Sequence, residues 1–326
     1  MASHSVYGLA LRSTCPIPGL LVKDDLRPPD VDIVLGELPC RSSPNESCIR
    51  LFPAGEQDKD QRPSLVLSKL LGGEFWFVYE DGIQFLVDEL GSHIWTAWPG
   101  TLTLEDAATY LLGPILGFIL RLRGVLCLHA SGVVVDNHGV ALLGTAGAGK
   151  STLAAAFAMS GYSVISDDIV PLTPYGGELW MQPGYPKLRL WPHSVQALFG
   201  SPDILPRITP TWDKRHFDLN CSPFGFRHLP IRLAAIYVLD ERTSDPDAPL
   251  TRPMKPGDAF MALVANTYGN YFLDSRLRAQ EFSELQQVVQ QVPIRRVSAH
   301  DDVALLDQLR MEIIRDFTTE VIGRTS

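Results

Sequence analysis

The strongest constraint on how this chain folds is a glycine-rich segment of eight residues near its middle. Residues 144–151 read Gly-Thr-Ala-Gly-Ala-Gly-Lys-Ser and match the pattern G-x-x-x-x-G-K-[ST], the Walker A motif or P-loop, at every fixed position. The apolar residues 140–143 precede it and predict a strand, and the good helix formers 153–158 follow it. A strand, a glycine-rich turn and a helix in this order predict an α/β domain that binds phosphate groups.

Each residue type in this segment suits phosphate binding. Glycines let the backbone turn tightly and bring N–H groups close to phosphate oxygens, and the following helix adds the partial positive charge of its N-terminus. Lys150 is predicted to reach the β- and γ-phosphates, and Ser151 to ligate Mg²⁺. The predicted nucleotide contacts are Gly144, Thr145, Ala146, Gly147, Ala148, Gly149, Lys150, Ser151 and Thr152. The sequence therefore predicts ATP or GTP, with Mg²⁺, as its cofactors.

A P-loop needs a second, acidic element that holds the metal or accepts a proton, and two segments compete for this role. Asp167 and Asp168 follow a predicted strand at 162–165, at a strand end where α/β proteins place their chemistry. One carboxylate would meet the Mg²⁺ held by Ser151, and the other would accept a proton from an attacking hydroxyl. The simpler interpretation is an Asx turn. The nearby phosphate-binding segment favours the functional interpretation.

The competing acidic segment is Asp240-Glu241, which follows the apolar residues 233–239. This pattern is typical of a Walker B strand, but a buried strand that enters a solvated turn at 240–247 explains it equally well, so we favour the first segment. A further polar candidate, His129, stands at the end of a predicted strand in Leu-His-Ala-Ser. A lone histidine is more often structural than catalytic, so its type alone leaves its role open.

The pattern of strands and helices divides the chain into two parts. Residues 1–123 are rich in predicted strands, at 31–35 and 74–79, and end in a helix that opens with a capping box at 103–106. Residues 124–326 alternate strands and helices, which predicts an α/β P-loop domain after an N-terminal strand-rich α+β domain. The elements predicted for the second part are strands 125–128, 132–135, 140–143, 162–165, 233–239 and 294–297, and helices 150–160, 276–291 and 301–317.

Charge and cysteine content argue against several classes of protein. The chain has 28 Lys and Arg against 37 Asp and Glu, a formal net charge of -9, which argues against nonspecific nucleic-acid binding. Its five cysteines include no CxxC pair, so neither a secreted disulfide framework nor a zinc knuckle is expected. The first residues lack the pattern of a signal peptide, and the apolar residues 111–120 are too few to span a bilayer. We expect a cytoplasmic protein with reduced thiols and no membrane partner.

Three segments together resemble the catalytic domain of HPr kinase/phosphorylase. They are Leu-His-Ala-Ser at 128–131, the P-loop at 144–152 and Ser-Asp-Asp at 166–168, and the family has a histidine, a P-loop and an Asp pair in this order. The resemblance covers about residues 124–326 and is strongest over 125–172. It implies the P-loop kinase fold of the HPr kinase and phosphoenolpyruvate carboxykinase type, and phosphate transfer to a serine of a small carrier protein. Some members also reverse the reaction with inorganic phosphate, so the resemblance extends to phosphorylase activity.

The resemblance also assigns roles to individual residues. It implies that the P-loop binds phosphates, with Lys150 among the catalytic residues, and that Ser151 binds Mg²⁺. It implies that Asp168, with Asp167, acts as base and metal partner, so that Ser151 and Asp168 are the expected metal ligands. His129 would be a further catalytic residue, hydrogen-bonded to the Asp pair.

Two parts of the chain differ from HPr kinases. Residues 182–191 read Gln-Pro-Gly-Tyr-Pro-Lys-Leu-Arg-Leu-Trp where HPr kinases carry an Arg-Gly-rich signature, and the N-terminal part differs from theirs as well. In this respect the chain is similar to divergent HPr-kinase-like proteins, some of which accompany lasso-peptide genes and phosphorylate a serine of a precursor peptide. The expected partner is a protein or peptide with an acceptor serine, rather than HPr. HPr kinases form hexamers, so the resemblance also implies a homo-oligomer, whose size the altered N-terminal part leaves open.

Two pairs of basic residues are candidates for contacting the transferred phosphate or an acidic acceptor. Lys187 and Arg189 lie in an extended segment, where alternation places both on one side of a strand. Lys214 and Arg215 lie in a polar loop at 201–230, which is long for a compact domain and indicates either a lid or disorder. Guanidinium groups suit bidentate binding of oxyanions, and a solvated charged surface is the simpler explanation of both pairs.

Three functions remain open from the sequence. The first is a kinase that phosphorylates a serine hydroxyl on a protein or peptide, as the resemblance implies. The second is a small-molecule kinase, for instance of an amino acid, which would have the same fold and P-loop. The third is a nucleotide-gated regulatory module without catalysis. Asp167 and Asp168 argue against the third, because a pure switch needs no acceptor base.

Overall fold

The structure is a computed structural model that describes residues 1–23, 27–39, 48–52, 65–210, 212–270 and 273–323. The chain divides into two compact units, Met1–Arg123 and Gly124–Ser326. Each unit contains its own main sheet, and together they give a mixed α/β architecture.

The first unit is built on an eight-stranded sheet within the described residues. Its strands are β1 Ala2–Val6, β2 Leu9–Ser13, β3 Val31–Leu35, β4 Cys48–Phe52, β5 Leu65–Leu70, β6 Phe75–Tyr79, β7 Gln84–Val87 and β8 His93–Ala97. They lie in the order β1-β2-β3-β8-β7-β6-β5-β4, and β3 runs parallel to both neighbours while the other pairs are antiparallel. The strands predicted at 31–35 and 74–79 are thus confirmed as β3 and β6, whose apolar residues alternate in burial.

The helical segment that ends this unit begins as the sequence predicts. Thr103 accepts a hydrogen bond from the backbone N–H of Asp106, and the Asp106 carboxylate accepts one from the Thr103 N–H, so the capping box is present. The segment consists of α1 Leu104–Tyr110, a π-helical turn Leu111–Ile115 that contains a proline, and α2 Leu116–Leu122. Within the described part of the chain, no helix is both long enough and apolar enough to cross a membrane.

The second unit contains a ten-stranded sheet, a two-stranded sheet and five α-helices in its described residues. The strands of the large sheet are β9 Leu126–Leu128, β10 Ala130–Val135, β11 His138–Leu143, β12 Ser163–Ser166, β13 Val170–Tyr175, β14 Glu178–Met181, β17 Gly225–Phe226, β18 Ile231–Leu239, β19 Leu250–Pro253 and β20 Ile294–Ser298. The small sheet pairs β15 Lys187–Leu190 with β16 Arg215–Asp218. The helices are α3 Lys150–Met159, α4 Pro192–Phe199, α5 Pro256–Ala265, α6 Ser275–Gln291 and α7 Leu306–Asp316.

The large sheet buries apolar side chains on both of its faces. On one face, Val140 of β11 lies in a cluster with Leu153 of α3 and Ile313 of α7. On the other face, Leu143 of β11 lies in a cluster with Leu285 of α6. Burial on both faces explains why the central strands read as continuous apolar runs rather than as alternating patterns.

The order of the strands brings four chain segments to one edge of this sheet. Strand β11 runs parallel to β18, and β18 runs parallel to β20, while β10 is antiparallel to both β11 and β12. Strands β11, β12 and β18 therefore end at the same edge, where β10 begins. The segments at that edge are the P-loop, the Asp pair at 167–168, residues 240–242 and His129. This is the edge at which open α/β sheets bind ligands.

The sequence missed several elements of this unit. Strands β13 and β14 form an antiparallel pair directly after the Asp pair, and the prolines Pro171 and Pro174 within β13 concealed it. Helices α4 and α5 were also not predicted, and both open with a proline at their first turn. The predicted long loop at 201–230 contains β16 and β17, so its description as one irregular lid or disordered segment is wrong.

Candidate active site

The P-loop connects β11 to α3 as the sequence predicts. Gly149 is the residue before α3 and has a φ of 96°, a left-handed conformation that disfavours any side chain. At the start of the loop, a Cβ on Gly144 would lie 3.0 Å from the carbonyl oxygen of Leu239 in β18, so only glycine lets the loop pass this close to the neighbouring strand. The apex at 145–147 is exposed, so backbone N–H groups there are accessible to a ligand.

Lys150, the first residue of α3, is buried against the loop that it is predicted to serve. Its ammonium group donates to the carbonyl oxygens of Gly144 at 2.7 Å and Thr145 at 3.1 Å. The side chain is 7% exposed, so its positive charge is held beside the loop rather than extended into solvent. This position fits a lysine that contacts the phosphates of a nucleotide lying on the loop.

Asp167 connects the P-loop to the strand before it. The Ser151 hydroxyl donates to Oδ1 of Asp167 at 2.9 Å, and the buried Ser131 hydroxyl of β10 donates to the same oxygen at 2.6 Å. The backbone N–H of Arg189 in β15 also bonds to this carboxylate. One carboxylate thus accepts hydrogen bonds from three different elements.

The environment of Asp167 opposes its ionisation. Burial raises the pKa of Asp167 above its ordinary value of 3.8, the hydrogen bond from Ser131 acts in the opposite direction, and the neighbouring Asp168 charge raises the pKa further. The Ser151 hydroxyl and the Arg189 N–H also lower it. A cation bound at this carboxylate would favour its charged form, which is the behaviour expected of a metal-binding group.

Asp168 contacts the histidine that the sequence singles out. Nδ1 of His129 lies 3.2 Å from Oδ1 of Asp168 and 3.2 Å from its backbone oxygen. The His129 backbone N–H donates to the carbonyl oxygen of Asn266 at 2.7 Å, which holds the start of β10 in place. Asp168 has a φ of 69°, a conformation that a non-glycine residue rarely adopts and that often occurs at functional sites. Its side chain is 22% exposed, so it is accessible from solvent.

The two aspartates therefore have different neighbours. Ser151 and Asp168 are the metal ligands expected from the sequence, whereas the structure joins Ser151 to Asp167 and Asp168 to His129. A metal role for Asp168 stays a prediction. Among the described residues, no group of three or more His, Cys, Asp and Glu side chains is arranged to hold a metal. The hydroxyl of Ser151 and the carboxylate of Asp167 nevertheless fit Mg²⁺, which is typically bound by one or two carboxylates together with substrate phosphates and water.

Thr152 does not contribute its side chain to the P-loop site. Its hydroxyl donates to Oγ of Ser194 in α4 at 2.8 Å, and both residues are buried. The side chain of Thr152 thus connects α3 to α4, and a nucleotide contact at Thr152 stays a prediction.

The competing segment Asp240-Glu241 lies at the same edge of the sheet but has a different partner. The Asp240 carboxylate lies 3.7 Å from the guanidinium group of Arg296 in β20 and is about half exposed. Two residues beyond Asp240, the guanidinium group of Arg242 lies 3.0 Å from the position that a Cβ of Gly149 would take. The strand end thus brings an arginine against the loop, while the carboxylate that contacts Ser151 belongs to the first segment.

Arg189 lies beside the Asp pair, and Lys187 lies two residues earlier on the same strand. Both are on one face of β15, whose alternate residues Leu188 and Leu190 are buried on the opposite face, as the alternation predicts. The Arg189 guanidinium group lies 5.7 Å from the ring centre of Tyr185. Burial raises the pKa of Tyr185 to about 12, although the Arg189 charge opposes this shift.

The second basic pair is placed differently from the prediction. Arg215 is buried and bonds to the carboxylates of Asp203 at 2.9 Å and Asp213 at 3.3 Å, so this guanidinium group stabilises its own loop, and a phosphate contact at Arg215 stays a prediction. Lys214 lies 4.7 Å above the ring of Trp191, which gives it a cation–π partner within the unit.

Sequence reasoning missed three residues of this site. Ser131 follows the histidine motif closely, and its hydroxyl between apolar residues was the available signal. Tyr185 lies in the same extended segment as Arg189, and no pattern marked it. Arg242 follows the Asp240-Glu241 segment directly, but its position depends on how β18 pairs with β11.

Comparison with known proteins gives a distant structural likeness. No family model matches the sequence, and no curated protein matches it. Among solved structures, the chain is similar to the Hpr(Ser) kinase/phosphatase from Coxiella burnetii, with a TM-score of 0.34 and 17% sequence identity over 61% of this chain and 94% of that chain. A likeness with so low a TM-score carries no argument about this chain, so the function must be argued from the contacts of the site itself.

Proposed function

We propose that this chain is a Mg²⁺-dependent kinase that transfers the terminal phosphate of ATP or GTP to a serine hydroxyl on a protein or peptide. The observation that carries the proposal is the hydrogen bond between the P-loop hydroxyl of Ser151 and the buried carboxylate of Asp167, 2.9 Å long. It joins a phosphate-binding loop to an acidic pair, and the second carboxylate of that pair is accessible beside a histidine. Phosphate binding alone needs no such second carboxylate.

Each residue of the site has a separate role in the proposed reaction. The loop at 144–149 and Lys150 would bind the phosphates, and Ser151 and Asp167 would hold the metal. Asp168 would accept the proton of the attacking serine hydroxyl, because it is the more exposed carboxylate of the pair. His129 would orient the Asp168 carboxylate through the contact at Nδ1. When bound, Mg²⁺ and the triphosphate would supply the transferable phosphoryl group and charge neutralisation.

The choice of a protein or peptide acceptor follows from the resemblance of the three sequence segments to HPr kinases. The strained backbone of Asp168 and its contact with His129 favour phosphate transfer over a non-catalytic switch, because they hold a base at a fixed position. Phosphorylase activity and a homo-oligomer are parts of the same proposal that depend on the resemblance alone.

A phosphotransfer assay tests the proposal. Purified protein, Mg²⁺ and radiolabelled ATP or GTP are incubated with a library of serine-containing peptides, and in parallel with free L-serine and other amino acids. Asp168→Asn should lower transfer by about 100-fold or more, since a general base typically contributes at least this factor. Lys150→Ala should lower it by about 100-fold or more as well, because it removes a charge that stabilises the transferred phosphate. The matched controls Lys255→Ala and Asp258→Asn change exposed residues just before and within the first turn of α5 and should leave transfer unchanged.

The outcomes separate the three functions. Label on peptides supports the proposal, whereas label only on free amino acids supports a small-molecule kinase. Nucleotide binding that Lys150→Ala abolishes, with no transfer to any acceptor, supports a regulatory module. If Asp168→Asn transfers phosphate as fast as the unaltered protein while Lys150→Ala is inactive, the assignment of the base is wrong.

A further inference from the structure

A basic surface extends from the Asp pair along the small two-stranded sheet. We define the β15–β16 face as Lys187, Arg189, His216 and Asp218, whose side chains lie on the side of this sheet opposite to the buried Leu188 and Leu190, so it carries two cationic groups and one carboxylate. Arg189 of β15 pairs with His216 of β16 in the antiparallel register. Asp218 pairs with Lys187 in the same way. Residues paired in this register have Cα atoms about 5 Å apart, so the four side chains form a continuous surface.

The β15–β16 face begins at the catalytic carboxylates. The backbone N–H of Arg189 bonds to the Asp167 carboxylate, and the Arg189 side chain bonds to Tyr185. Tyr185 is also close enough to Asp168 for the charge of that carboxylate to raise the pKa of Tyr185. The face therefore adjoins the Asp pair through Arg189. A group bound there would lie next to the reacting hydroxyl rather than at the nucleotide phosphates.

Two residues of this face, Lys187 and His216, have a polar group without a charged or hydrogen-bonded partner among the described residues. Within the described residues, no carboxylate lies within 4.0 Å of the Lys187 ammonium group, and the buried Nδ1 atom of His216 has no hydrogen-bond partner. Asp218 pairs with Lys187 in the register, but its carboxylate accepts the backbone N–H of Asn220 at 2.8 Å. Buried polar atoms without a partner are rare in folded proteins, so this nitrogen is a candidate for contact with a buried water, while Lys187 is the group of the face that is open to a ligand.

The positive charge of the face also lowers the pKa of His216. Burial lowers the pKa of His216 to about 4, and the charges of Lys187 and Arg189 lower it further. His216 is therefore neutral near pH 7 and adds a polar contact rather than a third charge. The contrast with Arg215, one residue earlier, is clear, because that guanidinium group is already paired with two carboxylates.

We infer that the β15–β16 face binds a carboxylate of the acceptor, so that the preferred substrate is a serine with an acidic residue close to it in the chain. This inference rests on the proposed kinase function and deepens it. A chain with a net charge of -9 would repel an acidic acceptor unless it offered a local cationic surface. Lys187 and Arg189, two residues apart on one strand, are spaced about 7 Å and suit acidic groups on an extended peptide.

The test is a positional-scanning library of peptides with one fixed serine and one varied position at a time, labelled by the full-length protein with radiolabelled ATP. We expect Asp and Glu to be selected over Asn and Gln by about tenfold at one or two positions near the serine, as for a charge-assisted hydrogen bond. Lys187→Glu should reverse the preference at that position in favour of Lys and Arg. Lys187→Gln should remove it, and the exposed control Lys255→Gln should retain it.

The outcomes distinguish this inference from the function on which it rests. Labelling without any acidic preference, or an acidic preference that Lys187→Glu leaves intact, overturns the inference but not the kinase function. If both Lys187 variants lower the turnover of all peptides equally, the face contacts the transferred phosphate instead, and the inference is also wrong. No labelling of any peptide by the unaltered protein refutes the kinase function and the inference together. Circular dichroism spectra of the Lys187 variants show that a lost preference does not reflect unfolding.

Discussion

Ser131→Ala gives the sharpest test of the arrangement around Asp167. The Ser131 hydroxyl donates to Oδ1 of Asp167 over 2.6 Å, and neither side chain is more than 7% exposed. Alanine removes this donor without adding any atom, so no steric clash accompanies the change. The Asp167 carboxylate keeps its bonds from Ser151 and from the Arg189 N–H, which limits the loss to one interaction.

The expected loss of stability follows from the charge of the acceptor. A hydrogen bond to a charged group contributes about 1.5–3 kcal/mol, and two remaining donors place the value near the middle of this range, at about 2 kcal/mol. For a unit of about 200 residues, each kcal/mol lowers Tm by about 2–4 °C, so we expect a decrease of about 4–8 °C. Because the bond stabilises the ionised carboxylate, its removal raises the pKa of Asp167 further. The difference between the two proteins should therefore shrink as the pH falls through the folded-state pKa.

The assay is urea unfolding at neutral and at acid pH, followed by circular dichroism, with Ser194→Ala as the matched control. Ser194 is also a buried serine in a hydroxyl bond, but its partner is the neutral hydroxyl of Thr152, so its removal should cost about 1 kcal/mol at either pH. Ser131→Ala should also weaken binding of Mg²⁺ and nucleotide, whereas the control should not. A loss no larger than that of the control, with no dependence on pH, would refute the view that Ser131 supports an ionised Asp167.

Three further predictions concern other contacts. Asp167→Asn should abolish Mg²⁺-dependent nucleotide binding yet stabilise the fold near neutral pH. Because burial raises the folded-state pKa of Asp167, the unaltered protein loses stability as the pH rises above about 4. Urea unfolding at several pH values should show that the variant lacks this loss. Gly149→Ala should weaken binding of a fluorescent ATP analogue while the protein remains folded, because a left-handed alanine costs about 1–2 kcal/mol and its Cβ would lie 3.0 Å from Arg242. Asp316→Ala should lower the free energy of unfolding by about 3–5 kcal/mol, because it leaves the guanidinium group of Arg295 buried without its carboxylate, and a loss below 1 kcal/mol in urea would contradict this.

The parts of the site that the sequence predicts are those encoded by neighbouring residues. The P-loop is a contiguous pattern because its glycines, lysine and serine act on one phosphate group, and its flanking strand and helix are equally local. The position of Asp167 and Asp168 at a strand end could be predicted for the same reason. Local patterns of this kind indicate which residues are available, but not which atoms meet.

The contacts between distant residues could not be predicted, because they depend on strand register. Ser131 meets Asp167 only because β10 pairs with β12 so that Gly132 lies opposite Ser166, and no local pattern specifies this pairing. Which of the two aspartates faces Ser151 depends on the left-handed backbone at Asp168, which turns adjacent side chains in different directions. A shift of one residue would exchange the partners.

For the basic residues, too, the sequence predicts local placement but not contacts with distant residues. Alternation along an extended segment correctly places Lys187 and Arg189 on one face, because a strand has a period of two. The pairing of Arg215 with Asp203 and Asp213 was not predictable, since it depends on how the residues between 201 and 215 fold back on themselves. Basic residues that look equivalent in a sequence therefore differ in whether their charge is already neutralised.

A buried carboxylate that accepts three hydrogen bonds has a physical consequence for how the site can work. Ionising Asp167 in this position is unfavourable by itself, and the donors from Ser131, Ser151 and Arg189 only partly compensate for the loss of water. These donors belong to β10, α3 and β15, so any cation that favours the charged form also tightens the contacts between these three elements. Binding of Mg²⁺ near Asp167 should therefore order the P-loop helix and the β15–β16 face at the same time, which couples nucleotide loading to the surface that we propose for the acceptor. Hydrogen exchange of β15 amides with and without Mg²⁺ and nucleotide would measure this coupling, and equal exchange in both conditions would contradict it.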